Sequence, residues 1–196
     1  MINLRQTETG IYYLHDYYPT RYRRITEEQE NLRRAVWAYK KQEDGPMNRF
    51  THELMEAIAI ICQQVRSDKI GLVAVPPSKV KKESAIRTSI WNIRKWYEKQ
   101  LIQPSFSCNK RIYDYRNLLT RISDIPTAHE GLRASYEQQK ESIACSRERL
   151  WRYGTVFFIL DDVTTRGTSM DVCRDILVDK GSDIDKIYRL VIAKTV

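Results

Sequence analysis

An apolar run that ends in two acidic residues and a hydroxyl-rich turn constrains this chain more than any other feature. Residues 155–160 read TVFFIL, and Asp161, Asp162 and the segment VTTRGTS follow at once. An uninterrupted apolar run is typical of a strand that is buried on both faces, as strands are in parallel α/β sheets. A turn rich in Thr, Ser and Gly is typical of the start of a helix. The pattern predicts a strand, a turn and a helix, with both carboxylates at the strand's carboxyl end.

The residue types at this strand end suit a phosphorylated sugar. Backbone N–H groups and the positive end of the helix dipole at a helix start favour a phosphate. Carboxylates accept hydrogen bonds from sugar hydroxyls, and α/β folds bind ligands at the carboxyl ends of their strands. The alternative is a surface Asp-Asp turn that caps a helix. That alternative does not explain why both acids follow an apolar run.

The segment resembles the phosphoribosyl pyrophosphate signature of type I phosphoribosyltransferases, in which four apolar, two acidic and two apolar residues precede T-T-G-x-T. Asp161 and Asp162 match the acidic pair, and Gly167 matches the glycine. Thr165 matches the first threonine and Ser169 the last hydroxyl residue. The segment departs from the pattern at two positions, since Thr164 stands where the family has an apolar residue and Arg166 replaces the second threonine. Arg166 either adds a cation beside the phosphate or points to solvent.

The resemblance implies specific roles for these residues. Asp161 and Asp162 would be the catalytic pair that holds the ribose 2- and 3-hydroxyls. The implied 5-phosphate loop comprises Thr164, Thr165, Arg166, Gly167, Thr168 and Ser169. The implied cofactor is Mg²⁺, held through the ligand, with Asp161 and Asp162 as its candidate protein contacts. The implied reaction is transfer of the phosphoribosyl group to a nitrogen acceptor with release of pyrophosphate, a glycosyl transfer assisted by positioned cations and dipoles.

A second segment, residues 73–82 (VAVPPSKVKK), resembles the pyrophosphate loop of the same family, in particular of its ComF-type members. The implied pyrophosphate-binding residues are Pro77, Ser78, Lys79, Lys81 and Lys82. A strand that ends at two prolines before a lysine-rich solvated loop is an equally good interpretation of this segment taken alone. The downstream signature favours the functional interpretation.

Alternation of apolar strands and amphipathic helices predicts an α/β fold with a mainly parallel sheet and helices on both faces, as the resemblance also implies. Helices are predicted from a capping box at Thr26 to about Lys41, ending at Gly45-Pro46, and along the stripes Phe50 to Val65, Ile86 to Tyr97 and Met170 to Leu177. Strands are predicted at residues 70–75, 106–109 and 187–193. Residues 111–153 are polar and fit the alternation poorly, so they are predicted to form a hood or flap. Arg121, His129 and Arg133 are its candidate ligand contacts.

Composition favours one domain spanning residues 1–196, with 42% hydrophobic residues. The sequence shows neither a secretory signal nor an apolar run that could cross a bilayer, so we expect no membrane partner. Four scattered cysteines favour reduced thiols over a zinc site or disulfides, which predicts a cytoplasmic location.

The net charge of +8 favours polyanionic partners, either nucleic acid or a phosphorylated small molecule. The excess is concentrated in residues 79–99, where a solvated helix face is at least as good an explanation as a binding surface. Two alternatives to the enzyme therefore stay open, a sensor or regulator that binds phosphoribosyl pyrophosphate without turnover and a competence-type accessory protein associated with nucleic acid. The acceptor is not readable from the sequence, and a homodimer is compatible with it.

Overall fold

The computed structural model describes residues 2–22, 24–65, 67–99, 110–126, 134–147 and 155–196. Its strands are β1 (Arg5–Gln6), β2 (Ile11–Tyr17), β3 (Lys69–Ala74), β4 (Arg111–Asp114), β5 (Leu119–Arg121), β6 (Ile143–Cys145), β7 (Thr155–Thr164) and β8 (Ile187–Thr195). Its helices are α1 (Glu27–Lys40), α2 (Asp44–Gln63), α3 (Ala85–Glu98), α4 (Tyr136–Glu141) and α5 (Thr168–Asp179), with a 3₁₀ helix at Ile184–Lys186.

Six of these strands form one sheet in the order β1-β2-β8-β7-β3-β4, and β5 pairs with β6 in a separate antiparallel ribbon. Within the large sheet all neighbours are parallel except the edge pair β1 and β2. The predicted α/β class with a mainly parallel sheet is therefore confirmed. Strand β7 lies between β8 and β3, and this central position explains why its first six residues are buried on both faces.

Two apolar layers cover the sheet. On one face α1, α2 and α3 pack against alternate residues of the central strands, such as Phe158 and Leu160 of β7. On the other face α5 and the β5–β6 ribbon pack against Phe157 and Ile159. Successive side chains of a strand point to opposite faces. The residues of β7 that follow Leu160 therefore also point alternately to the two faces of the sheet.

The helix predictions hold with small shifts. Thr26 makes the predicted capping box with Gln29, and α1 ends at Lys40. Gly45 and Pro46 do not end α1; they lie in the first turn of α2, where a proline loses no intrahelical hydrogen bond. Val65 lies beyond the end of α2, although it still packs against the core.

The predicted excursion over residues 111–153 is wrong at its start. Residues Arg111–Asp114 form β4, which pairs in parallel with β3 and belongs to the main sheet. Its short RIYD sequence carries one buried apolar residue, Ile112, and so gave no apolar run. The predicted strand at residues 106–109 lies outside the described residues. No helix in the described ranges is long and apolar enough to cross a membrane.

Candidate ligand-binding site

The two predicted ligand loops leave neighbouring strands at a reversal of the chain path. Strand β3 continues through α3 to β4 on one side, whereas β7 continues through α5 to β8 on the other side. A crevice at the carboxyl ends of two such strands is where α/β sheets bind ligands. The Val75 amide donates to the Leu160 carbonyl over 3.0 Å. This bond places Pro76, at the start of one loop, beside Asp161, at the start of the other.

The two carboxylates point to different faces of the sheet. Asp162 points to the same face of the sheet as Phe158 and Leu160, toward α1. There the Lys40 ammonium lies 3.2 Å from Oδ1 of Asp162. Asp161 points to the opposite face, toward α5. Each carboxylate accepts a hydrogen bond from the next backbone amide, at 2.9 Å for Asp161 and 2.6 Å for Asp162. The carboxylates therefore hold fixed orientations on either side of the strand end.

Burial and the neighbouring carboxylate change the protonation of this pair. Burial, followed by the negative charge of Asp162, raises the pKa of Asp161 to about 8, and the Asp162 amide and Lys40 offset only part of this rise. Burial by itself would lower the pKa of Lys40, but Asp162 outweighs it, so the pKa of Lys40 is raised. At neutral pH the Asp161 carboxyl is thus largely protonated before a ligand arrives, and it can donate as well as accept a hydrogen bond. Sequence reasoning missed Lys40, because its pairing with Asp162 joins distant parts of the chain.

Gly167 shapes the turn between β7 and α5. It caps α5 with a φ of +82°, and a Cβ atom placed there would collide with Cδ1 of Ile11. Glycine therefore serves both the left-handed backbone conformation and the close approach of β2. The turn leaves the first amides of α5 without intrahelical partners. The sequence-predicted phosphate loop thus has the local geometry that an anion needs.

The remaining residues of that loop differ in accessibility. Thr165 and Arg166 are exposed, and the Thr165 hydroxyl lies 3.3 Å from the Thr195 hydroxyl. Thr168 and Ser169 form the first turn of α5, where Ser169 donates to the Gln139 side chain over 2.7 Å. Thr164 is buried at the end of β7, so its side chain belongs to the core rather than to the turn.

The loop after β3 has its own unusual backbone. Lys81 adopts a φ of +65°, a region that residues other than glycine seldom occupy. The Ser78 carbonyl accepts from the Ile125 amide over 3.0 Å, and the Val80 amide donates to the Asp124 carboxylate over 2.7 Å. Lys81 and Lys82 are exposed, while Pro77, Ser78 and Lys79 are half-buried. The loop is thus held by the segment that follows β5, and its two outer lysines reach solvent.

Arg121 supports the loop from within, and its guanidinium faces acceptors of the protein itself. Its side chain is buried; Nε donates to the Pro77 carbonyl over 2.9 Å and Nη2 donates to the Pro76 carbonyl over 3.3 Å. Nη1 donates to the Ser142 hydroxyl and the Gln139 carbonyl. The prediction of Arg121 as a hood contact for the ligand is therefore corrected, because its guanidinium is taken up by protein acceptors. His129 and Arg133 lie outside the described residues.

A second buried arginine, Arg189, which sequence reasoning did not single out, holds the start of α5. Arg189 of β8 pairs with Asp171 in the first turn of that helix and donates to the Thr9 carbonyl. An arginine within an otherwise apolar strand is the one sequence signal that marks it. The anchor fixes the helix whose first amides border the crevice.

The crevice offers two carboxylates as candidate donors to Mg²⁺. Within the described ranges, no group of three or more His, Cys, Asp or Glu side chains could hold a metal by itself. Mg²⁺ is commonly held by one or two carboxylates together with substrate phosphate oxygens and water. Asp161 and Asp162 lie on opposite faces of the strand end, so one of them at a time would supply that carboxylate to a magnesium ion that arrives with a phosphorylated ligand.

A comparison with protein families finds none that matches this chain, and a comparison with curated proteins finds no match either.

Proposed function

We propose that this protein binds phosphoribosyl pyrophosphate together with Mg²⁺ and transfers the phosphoribosyl group to a nitrogen acceptor with release of pyrophosphate. One observation carries the proposal: the acidic pair with its glycine turn and the lysine-bearing loop leave adjacent strands at the same reversal of the sheet. A ligand with a phosphate at one end, a sugar in the middle and a pyrophosphate at the other end matches that order of groups. The proposal places this α/β protein with the type I phosphoribosyltransferases, of the ComF-like kind.

Each part of the ligand has a partner of suitable chemistry. The first amides of α5 and the helix dipole would bind the 5-phosphate. The Asp161 and Asp162 carboxylates would accept hydrogen bonds from the ribose hydroxyls, which orients the ring. When bound, Mg²⁺ would neutralise part of the negative charge that grows on the departing pyrophosphate.

The leaving group would face the β3 loop. Backbone amides and lysines of that loop would stabilise the pyrophosphate as its bond to the sugar breaks. Lys40 would pair with the Asp162 carboxylate until the ribose hydroxyls replace or join the ammonium. The role of the chain is thus orientation and charge stabilisation, with no covalent intermediate on a side chain.

One residue, Thr165, narrows the range of acceptors that the protein would use. Purine salvage enzymes of the resembling family commonly carry an aspartate at the position of Thr165, near N7 of the purine. A threonine hydroxyl does not act as a base at neutral pH. We therefore expect hypoxanthine and guanine to be poor acceptors.

Thermal unfolding tests ligand binding. Phosphoribosyl pyrophosphate at about one hundred times its Kd with Mg²⁺ should stabilise the protein by about 3 kcal/mol, a rise in Tm of about 5–10 °C for a domain of this size. Asp161→Asn combined with Asp162→Asn should abolish the rise. Asp175→Asn, which removes a carboxylate from α5 away from the crevice, should retain it. An unchanged Tm of the parent protein with this ligand would refute the proposal.

Turnover is measured separately as pyrophosphate release with a panel of bases, nucleosides and amines. Release with one acceptor supports the transferase. Binding without release across the panel would replace the transferase by a phosphoribosyl pyrophosphate sensor. Retention on DNA that persists at physiological salt would instead favour the nucleic-acid role, since nonspecific binding fades steeply as salt rises.

A further inference from the structure

A second concave site lies on the β4 side of the β3 loop. It has a volume of about 350 Å³ and is formed by the end of that loop, the first half of α3 and the residues after β4. This volume is within the range of small-molecule pockets. Four cationic side chains line it: Lys81, Lys82, Arg87 and Arg116.

The positive charges of this pocket are poorly compensated. Glu83 is the acidic residue in its lining, and its carboxylate accepts from the Gln42 amide group over 3.3 Å. Arg87 and Arg116 are close enough to repel each other, and burial together with this repulsion lowers the pKa of Arg87. Like charges facing one cavity favour the entry of an anion between them.

Arg87 also has unused hydrogen-bonding capacity. Its Nη2 donates to the Leu119 carbonyl over 3.3 Å, but its Nε is buried and has no acceptor among the described residues. A buried donor without a partner costs free energy, so the surrounding protein leaves the Arg87 guanidinium incompletely satisfied. The first turn of α3, which carries Arg87, contains no acidic residue, and the Ser84 side chain does not cap it.

Arg116 lies on the wall of the pocket opposite Arg87, and part of its guanidinium is accessible to a ligand. Its Nε is 3.5 Å from the Asp114 carboxylate, and its guanidinium lies 4.6 Å from the Trp91 ring centre. Trp91 itself is 41% exposed at the rim. A planar guanidinium that stacks on an aromatic ring still presents its N–H edge to an oxyanion.

We propose that this pocket binds the phosphate group of a small phosphorylated molecule, in addition to and separately from the crevice between β3 and β7. Two guanidinium forks and two lysines match the geometry and charge of a phosphate that carries more than one negative charge. Because residues 81–84 belong to the same loop that borders the crevice, a ligand in this pocket would hold the outer part of that loop. The pocket shares Lys81 and Lys82 with the implied pyrophosphate loop, but Arg87, Trp91 and Arg116 lie outside that loop. The inference therefore goes beyond the proposed function and does not require it.

Inorganic pyrophosphate, titrated into the full chain at low salt, is the probe. Calorimetry gives the Kd and Trp fluorescence reports on the rim. Arg87→Gln and Arg116→Gln should each weaken binding at least tenfold, and Arg116→Lys should weaken it less. Trp91→Phe should retain binding but lose most of the fluorescence change. Arg111→Gln, which removes an exposed arginine at the opposite end of β4, should bind as the parent does.

The crevice is excluded by a separate variant. Thr168→Glu combined with Lys79→Gln changes both ends of the crevice. The glutamate repels a phosphate at the first position of α5 and suits the helix dipole, and the glutamine removes the β3-loop lysine that does not line the pocket. Pyrophosphate binding that survives in this double variant and is lost in Arg116→Gln supports the pocket, even if phosphoribosyl pyrophosphate proves not to bind. Parent-like binding by both arginine variants, with folding verified by circular dichroism, would overturn it. Displacement of pyrophosphate by a short single-stranded oligonucleotide at lower concentration would overturn it too, in favour of a nucleic-acid surface.

Discussion

Replacing Asp161 by asparagine should stabilise the protein, because the native state holds this carboxyl in surroundings that disfavour its charge. Its native pKa of about 8 lies above the value of 3.8 for a free aspartate. The native state therefore binds a proton more readily than the unfolded chain between about pH 4 and pH 8, and stability from this group falls as pH rises through that window. At pH 7 the full shift corresponds to about 4 kcal/mol. Residual solvent contact of the carboxyl reduces this to on the order of 2–4 kcal/mol.

The substitution is well suited to isolate the charge. Asparagine keeps the side-chain oxygen that accepts from the Asp162 amide over 2.9 Å. Urea unfolding at pH 5, 6, 7 and 8 should show a difference between Asp161→Asn and the parent that is small at pH 5 and grows with pH. At pH 7 the difference in the free energy of unfolding should be on the order of 2–4 kcal/mol.

A matched control, Asp175→Asn, should change the stability in the opposite direction. Asp175 of α5 accepts hydrogen bonds from Tyr136 and Arg174, which lower its pKa despite its partial burial. Asp175→Asn should therefore lose stability near neutral pH, where the parent carboxylate is ionised in both states. An Asp161→Asn protein that is less stable than the parent at pH 8, or whose advantage does not change with pH, would refute this account of the acidic pair.

Three further outcomes follow from the site's geometry. Gly167→Ala should cost about 1–2 kcal/mol for the left-handed backbone plus the collision with Ile11, and adding Ile11→Val, which removes Cδ1, should recover part of the loss in urea unfolding. Arg121→Ala should lower the free energy of unfolding by on the order of 3 kcal/mol, since it leaves buried carbonyls without donors. If the loss simply added to that of a mutation in the β3 loop, the proposed link between Arg121 and this loop would be contradicted. Lys40→Met should shift the pH window of Asp161 upward, because Lys40 lowers that pKa; an unshifted stability profile between pH 5 and 9 would show that the ammonium does not act on Asp161.

The sequence could predict those features that are encoded locally. The strand from Thr155, the acidic pair and the glycine turn are consecutive residues, and the apolar run reports burial on both faces directly. The capping box at Thr26 is equally local. Strand β2 was missed, because its sequence IYYLHDY buries only Ile11 and Leu14 and shows no alternation. Only the parallel pairing of β2 with β8 reveals this segment as a strand.

What the sequence could not predict is the set of long-range contacts that fix the loops. Arg121 and Arg189 look like surface or ligand-binding arginines in a basic chain, but both are buried, and each hydrogen-bonds backbone carbonyls. Arg121 anchors the loop after β3, and Arg189 anchors the first turn of α5 through Asp171. Both loops are thus held from the protein side before any ligand enters, which reduces the ordering cost of binding. Neither arginine forms a hydrogen bond with the exposed Lys81 and Lys82. These two residues form the part of the β3 loop that can still move when a ligand binds, and the same part borders the second pocket.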